Sequence, residues 1–190
     1  MHEKPHLDHP TIAHVRERFG QRDIKLRATE FRGQTTLVVP REYLHEVMQF
    51  LCDDAACDYN FLADVTGVDY LNYPRVEESP QERFAVIYNL VSFRHNQRML
   101  VQAPLDPSID TSGIEEDPQL VLASVTDIWP GAEWREREVF DMFGIRFTNH
   151  PDLRRILTWE QFPAHPLRKD YPLTGRGERE TYHVVHREDA

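Results

Sequence analysis

Two cysteines, Cys52 and Cys57, are all that 190 residues contain. So few thiols exclude the disulfide framework of a small secreted protein, and the four thiolates of an ordinary iron–sulfur cluster cannot come from this chain alone. Packing is the expected role of both. Also missing is any run of the roughly 18 to 20 apolar residues that crosses a bilayer, so membrane association is expected to be indirect, through partners. The opening stretch, Met1 to His6, has neither the apolar centre of a secretory signal nor the Arg/Ser-rich character of a mitochondrial transit peptide, which points to a bacterial cytoplasmic location. There is no long Lys/Arg run. With a formal net charge of −10, nonspecific binding to nucleic acid or anionic lipid is disfavoured, since both are polyanions. Neither G-x-G-x-x-G nor G-x-x-x-x-G-K-[ST] occurs, so a dinucleotide, flavin or phosphate-cradling loop has no support. Glycine is scarce beside proline, 8 against 13, which suggests stiff connections or an extended segment.

What is present suits one globular core: 40% hydrophobic and 28% charged residues. Asp8 and Pro10 offer a helix start, with Ile12, Val15 and Phe19 at helical spacing before Gly20. Alternation from Ile24 to Phe31, a turn at Gly33-Gln34 and the run Thr35 to Val39 predict two paired strands. After Pro40, the residues Tyr43, Leu44, Val47, Met48 and Leu51 predict a second helix with one apolar stripe. Tyr59 to Val68, Arg83 to Phe93 and Met99 to Ala103 predict three more strands, the last two joined by a turn at Arg94 to Gln97. The acidic stretch from Pro104 to Pro118 reads as a mobile or variable loop. Leu120, Val121, Ser124, Val125 and Ile128 then suggest a helix ending at Pro130-Gly131. The expected fold class is α+β, a mixed and largely antiparallel sheet packed with helices, over residues 1–162. From Pro163 onward, Pro166, Pro172, Gly175 and Gly177 interrupt every candidate element, and 163–190 is read as an extended C-terminal tail. Its apolar residues, Leu167, Tyr171, Leu173, Tyr182, Val184 and Val185, suit a tail that orders on another protein.

The segment 132–143 is predicted helical and is unusually dense in charge. Its apolar arc holds Ala132, Val139, Phe140, Met142 and Phe143. Glu133, Arg137 and Asp141 stack at i, i+4 away from the centre of that arc, as on a solvated face. Arg135 and Glu136 fall inside the arc, so each is expected to have a partner, within the fold or on another subunit.

The stretch Glu136-Arg137-Glu138-Val139-Phe140-Asp141-Met142-Phe143, followed by His150, Arg154, Arg155, Ile156 and Leu157 and then by His165-Pro166-Leu167-Arg168-Lys169-Asp170-Tyr171, resembles the signature of the C-subunit family of bacterial proton-pumping NADH:quinone oxidoreductases, respiratory complex I. Ala164 stands where the family usually has glycine. The resemblance implies a non-catalytic member of the peripheral arm of a proton-translocating, quinone-reducing translocase, on the cytoplasmic side of the bacterial inner membrane. It would have no flavin, cluster or quinone site of its own. FMN and iron–sulfur clusters would sit in partner subunits, and this chain would pack on the quinone-site D subunit, its tail running over neighbours. Arg135 or Glu136 would supply a desolvated contact, and Arg154, Arg155, Arg168 and Lys169 would pair with acids across the seam.

Two other readings compete. The same module occurs in membrane-bound hydrogenases and ferredoxin-dependent quinone reductases. Ten histidines with carboxylates near His150 and His165 suggest a metal-dependent hydrolase, yet no H-E-x-x-H occurs, and His183 and His186 stand three apart near the end of the sequence. Glu136 and Glu138, two apart on a helix, point to different sides and cannot flank one bond.

Overall fold

Pro10 fixes the first turn of helix α1 (Pro10–Phe19), where its missing N–H costs nothing, and the helix buries Thr11, Ile12, Val15 and Phe19. The computed structural model describes residues 9–22, 24–74 and 82–178; the expected cap Asp8 lies outside them. Strands β1 (Arg27–Phe31) and β2 (Gln34–Val38) form the expected antiparallel hairpin, turning through positive φ at Arg32 and Gly33. After Pro40 a single 3-10 turn leads into α2 (Leu44–Asp53), which buries Leu44, Val47, Met48 and Leu51. Strand β4 (Phe84–Ser92) runs antiparallel to its two neighbours β3 (Phe61–Asp69) and β5 (Gln97–Leu105), β5 also pairing parallel with β2. The sheet order is β1-β2-β5-β4-β3, so the class is α+β with a mostly antiparallel five-stranded sheet.

Period-2 alternation fixes which face is covered. Phe84, Val86, Tyr88 and Leu90 of β4, Met99 and Val101 of β5, Leu37 of β2 and Val65 of β3 join α1 and α2 in one core. Ile87, Asn89 and Val91 point the other way and are half-buried.

The helix expected at 120–128 is not formed. Leu120 and Leu122 are buried with Val121 and Ala123 half-buried between and beside them, which is strand alternation, and Val121–Ala123 (β6) pairs in parallel with Arg146–Thr148 (β7). The sequence positions that mimic helical spacing, Val125 and Ile128, belong to the turn after β6. The acidic loop is also tied down: Asp117 accepts from the backbone N–H groups of Ser108, Ile109 and Gln119 and from the Ser108 hydroxyl. These donors outweigh burial and hold its carboxyl below the usual range.

Candidate functional site

Helix α3 (Ala132–Phe143) ends at Gly144, which takes the left-handed conformation at φ 71° and donates its N–H to the Phe140 carbonyl. A side chain there would collide with more than its own backbone, since a Cβ would run into the Arg168 guanidinium and lie 2.7 Å from the His165 ring. Gly67 of β3 plays the matching part on the other side of the helix, its missing Cβ leaving room for the Phe143 ring. Thus α3 lies between β3 and the segment that follows β7, and both of its long faces are covered.

On the sheet side, Glu136 is fully buried. Its carboxylate accepts from the Ser124 hydroxyl at 2.6 Å and the Val125 N–H at 2.9 Å, at the end of β6. No Lys or Arg pairs with it among the described residues. Burial dominates, and despite those two donors its pKa is pushed up to about 7. His150 stands 4.0 Å away, also wholly enclosed. Its Nδ1 accepts from the Asp152 N–H, so Nε2 carries the proton and donates to the Glu133 carbonyl at 3.0 Å. His150 is therefore a satisfied neutral imidazole. The Tyr88 hydroxyl, buried without a hydrogen-bond partner among the described residues, has its pKa raised by desolvation and then by the Glu136 charge.

On the outer side, Asp141 is also fully buried but is surrounded by donors. Arg155 reaches it at 2.7 Å, and the consecutive N–H groups of Ile156, Leu157 and Thr158 point at one oxygen at 3.0, 2.7 and 2.8 Å, with the Thr158 hydroxyl on the other. Burial opposes ionisation, but the Thr158 and Arg155 bonds outweigh it and the carboxyl titrates below its ordinary value. Arg155 also donates to the carbonyls of Phe162 and Ala164. His165 donates through Nδ1 to the Asp141 carbonyl at 2.9 Å; burial lowers its pKa to about 4, so it is neutral near pH 7. Arg168 donates to the Phe143 and Thr111 carbonyls. At the end of β3, Asp69 takes the Arg83 guanidinium at 3.1 and 3.0 Å and the Lys169 N–H at 2.8 Å, while Arg83 also reaches Asp170.

These contacts correct the sequence reading. The face of Arg137 and Asp141 is not solvated: both are buried because the chain folds back over α3, and Arg137 donates to the Arg154 and Arg155 carbonyls with Trp134 beside its guanidinium. Arg135 is not inside the core but half-exposed, facing Asp64 at 3.4 Å and Glu138 at 3.8 Å. Arg155 and Arg168 spend their donors within this chain, leaving Arg154 and Lys169 as the exposed cations of that group. Packing also continues beyond residue 162, with Ala164, His165 and Arg168 buried and Tyr171 half-buried. Residues 179–190, including Tyr182, His183, Val184, Val185 and His186, lie outside the described residues.

Asp69, Arg83, Thr111, Ser124, Tyr88 and Thr158 complete the two networks and were not singled out from sequence. Only the pairing of a strand-end Asp69 with a strand-start Arg83 carried a signal, through the antiparallel β3–β4 pair. Chemically, the arrangement holds charge in place. Beside it, the recess between Phe140, Glu160 and His165 measures about 120 Å³, smaller than the roughly 300 Å³ from which ligand pockets start. Trp134, Leu157 and Leu167 project outward around the covered face, each more than half exposed.

Comparisons with known proteins cover most of the chain. The family model described as respiratory-chain NADH dehydrogenase, 30 Kd subunit, matches residues 37–177. The chain is 44% identical to the C subunit of NADH-quinone oxidoreductase from Citrifermentans bemidjiense, over 90% of this chain and 92% of that one. It is 44% identical to the same-named protein of Brucella ovis, over 85% of this chain and 70% of that one. Among solved structures, a trypsin-resistant fragment of Nqo5 superposes with a TM-score of 0.56 at 37% identity, covering 75% of this chain and 98% of the fragment. The archaeal membrane-bound sulfane sulfur reductase complex contains a chain with TM-score 0.65 at 16% identity over 95% of this one, a likeness of fold.

Proposed function

The chain belongs to the family of 30 kDa C subunits of respiratory-chain NADH dehydrogenases, and from that premise we propose that it is a non-catalytic, structural component of the peripheral arm of a proton-translocating NADH:quinone oxidoreductase. The observation that carries this reading is the use of the signature: Glu136, Arg137, Asp141, His150, Arg155, His165 and Arg168 are spent on internal hydrogen bonds, the first fastening α3 to the end of β6 and Arg137, Asp141, Arg155, His165 and Arg168 holding the C-terminal segment on α3. They build a rigid shell whose outward apolar residues, Trp134, Leu157 and Leu167, are left for a neighbour. In this reading that neighbour is the quinone-site D subunit, with other peripheral-arm and iron–sulfur subunits adjoining. FMN and clusters belong to those partners, and electron transfer passes beside this chain. No helix among the described residues is long and apolar enough to cross a membrane, so attachment at the cytoplasmic face runs through the partners. The shared name of the relatives favours a quinone oxidoreductase over a hydrogenase. The histidines that prompted a hydrolase, His150 and His165, both donate to backbone carbonyls here.

Mild-detergent purification of the tagged chain from its native membranes tests the reading. Flavin, iron–sulfur clusters and NADH:quinone activity are expected to copurify, and a lone chain would overturn it. Arg154, exposed and paired among the described residues only with Asp152 at 2.9 Å, is the contact to reverse. Arg154→Glu is expected to weaken copurification severalfold while the isolated chain melts as before; unchanged assembly removes Arg154 from the interface.

A further inference from the structure

The end of the sheet remote from Asp69 and Asp170 carries a second surface, on the face that α1 and α2 leave uncovered. Phe31 pairs with Gln34, and Val91 pairs with both Arg98 and Phe61, and directly opposed residues in a ladder share a face. The parallel register of Thr36 with Leu100 places Gln34 beside Arg98, so one row runs Phe31, Gln34, Arg98, Val91, Phe61 across all five strands. At about 4.8 Å per strand that row spans on the order of 19 Å, the reach of a protein contact. Phe93 continues it, its ring 5.3 Å from that of Phe61. Phe31, Phe61 and Phe93 are 71%, 45% and 67% exposed. Arg32, in the β1–β2 turn, lies over the Phe31 ring at 5.2 Å, and Arg94 is exposed in the β4–β5 turn. None of Arg32, Arg94 and Arg98 is ion-paired among the described residues. The one acid in the adjoining row, Asp64, is engaged by Arg135.

Exposed aromatic rings between unpaired guanidiniums are the side chains that dominate protein interfaces, and a chain of net charge −10 has gathered unneutralised cations here. We propose that this sheet end docks an acidic, apolar-centred segment of another subunit of the same assembly. Complementary charge selects the partner: carboxylates facing Arg32, Arg94 and Arg98 orient it, and an apolar side chain seats against the three phenylalanines. A second copy docked symmetrically would bring these arginines against themselves. An anionic bilayer would attract this end but repel the acidic remainder. The proposal rests on the family membership, which supplies the neighbouring subunits, and is independent of the role given to the signature segment.

The test uses the full chain in the complex purified from native membranes, with the photoreactive p-benzoylphenylalanine in place of Phe93 and, in a parallel preparation, of Leu157. Irradiation and peptide mass spectrometry are expected to link position 93 to another subunit, at a residue flanked by Asp or Glu. A link to phospholipid, to a second copy of this chain, or to nothing overturns the proposal. A link from 157 alone would leave the signature interface standing and remove this one. As an independent readout, the double reversal Arg94→Glu with Arg98→Glu is expected to lower retention of the chain in the complex about tenfold in a salt wash while its own melting transition is unchanged. Unchanged retention would also overturn it.

Discussion

Glu136 and Asp141 lie five residues apart on one helix and are both fully buried, yet their surroundings move their pKa values in opposite directions. On the sheet side Glu136 has a hydroxyl, one N–H and a neutral imidazole near it, and its pKa rises to about 7. On the outer side Asp141 meets a guanidinium, a hydroxyl and three aligned N–H groups, and its pKa falls. Burial alone does not decide whether a carboxyl ionises; the number and charge of its donors do. The sheet-side pocket fastens α3 to the domain with no guanidinium or ammonium partner among the described residues, whereas the outer clamp uses an ion pair to fasten the C-terminal segment to α3.

Cutting the chain after Pro163 removes the largest share of the layer over α3, because His165, Arg168 and Asp170 go together while Arg155 to Thr158 stay on Asp141. The expected cost is on the order of 5 kcal/mol or more, comparable to the whole stability of a domain, and denaturant unfolding should show loss of the cooperative transition. A truncated chain that unfolds like the full one would mean that this share of the layer contributes little. Asp141→Ala leaves Arg155 and the three N–H groups without their acceptor and is expected to cost about 3 to 5 kcal/mol in the same measurement.

The next effect separates Glu136 from His165 by pH. Glu136 has its folded pKa raised from 4.5 to about 7, so folding takes up a proton, and its contribution is complete below about 4.5 and lost as pH rises through 7. His165 has its folded pKa lowered from 6.5 to about 4, so its contribution is present above 6.5 and lost as pH falls. Over the overlapping window the two slopes oppose. Glu136→Gln removes one of them, and relative to the wild type its stability should rise by about 3 kcal/mol between pH 4.5 and 7.5. An identical pH dependence in both would mean that Glu136 titrates normally. The smallest effect is at the junction: Gly144→Ala, strained at φ 71° and crowding Arg168 and His165, is expected to cost about 1 to 3 kcal/mol.

The same contrast separates what could be read in the sequence from what could not. Strands β3, β4 and β5 and helices α1 and α2 follow from alternation and helical spacing, because their partners are apolar and nearby elements supply the cover. Glu136 was legible as a buried charge needing a partner, since its neighbours on the helix face are apolar. Asp141 and Arg137 were not, because the layer that covers them comes from residues 154–168, a segment with no periodicity to mark it as packed. The segment 120–128 failed differently: its apolar spacing fits a helix and a short strand equally, and pairing with β7 decides.

The bond from the Lys169 N–H to Asp69 joins residues 100 apart in the chain. During synthesis, β1 to β5 can pair while α3 is still bare, and the outer face of that helix stays open until residues 154–169 have been added. A product interrupted before residue 154 would therefore display Asp141 and Arg137 without the N–H, guanidinium and carbonyl groups that satisfy them. Addition of residues 154–169 and closure of the outer face of α3 become one event, so a copy that stops short of them has no closed face to offer an assembling neighbour.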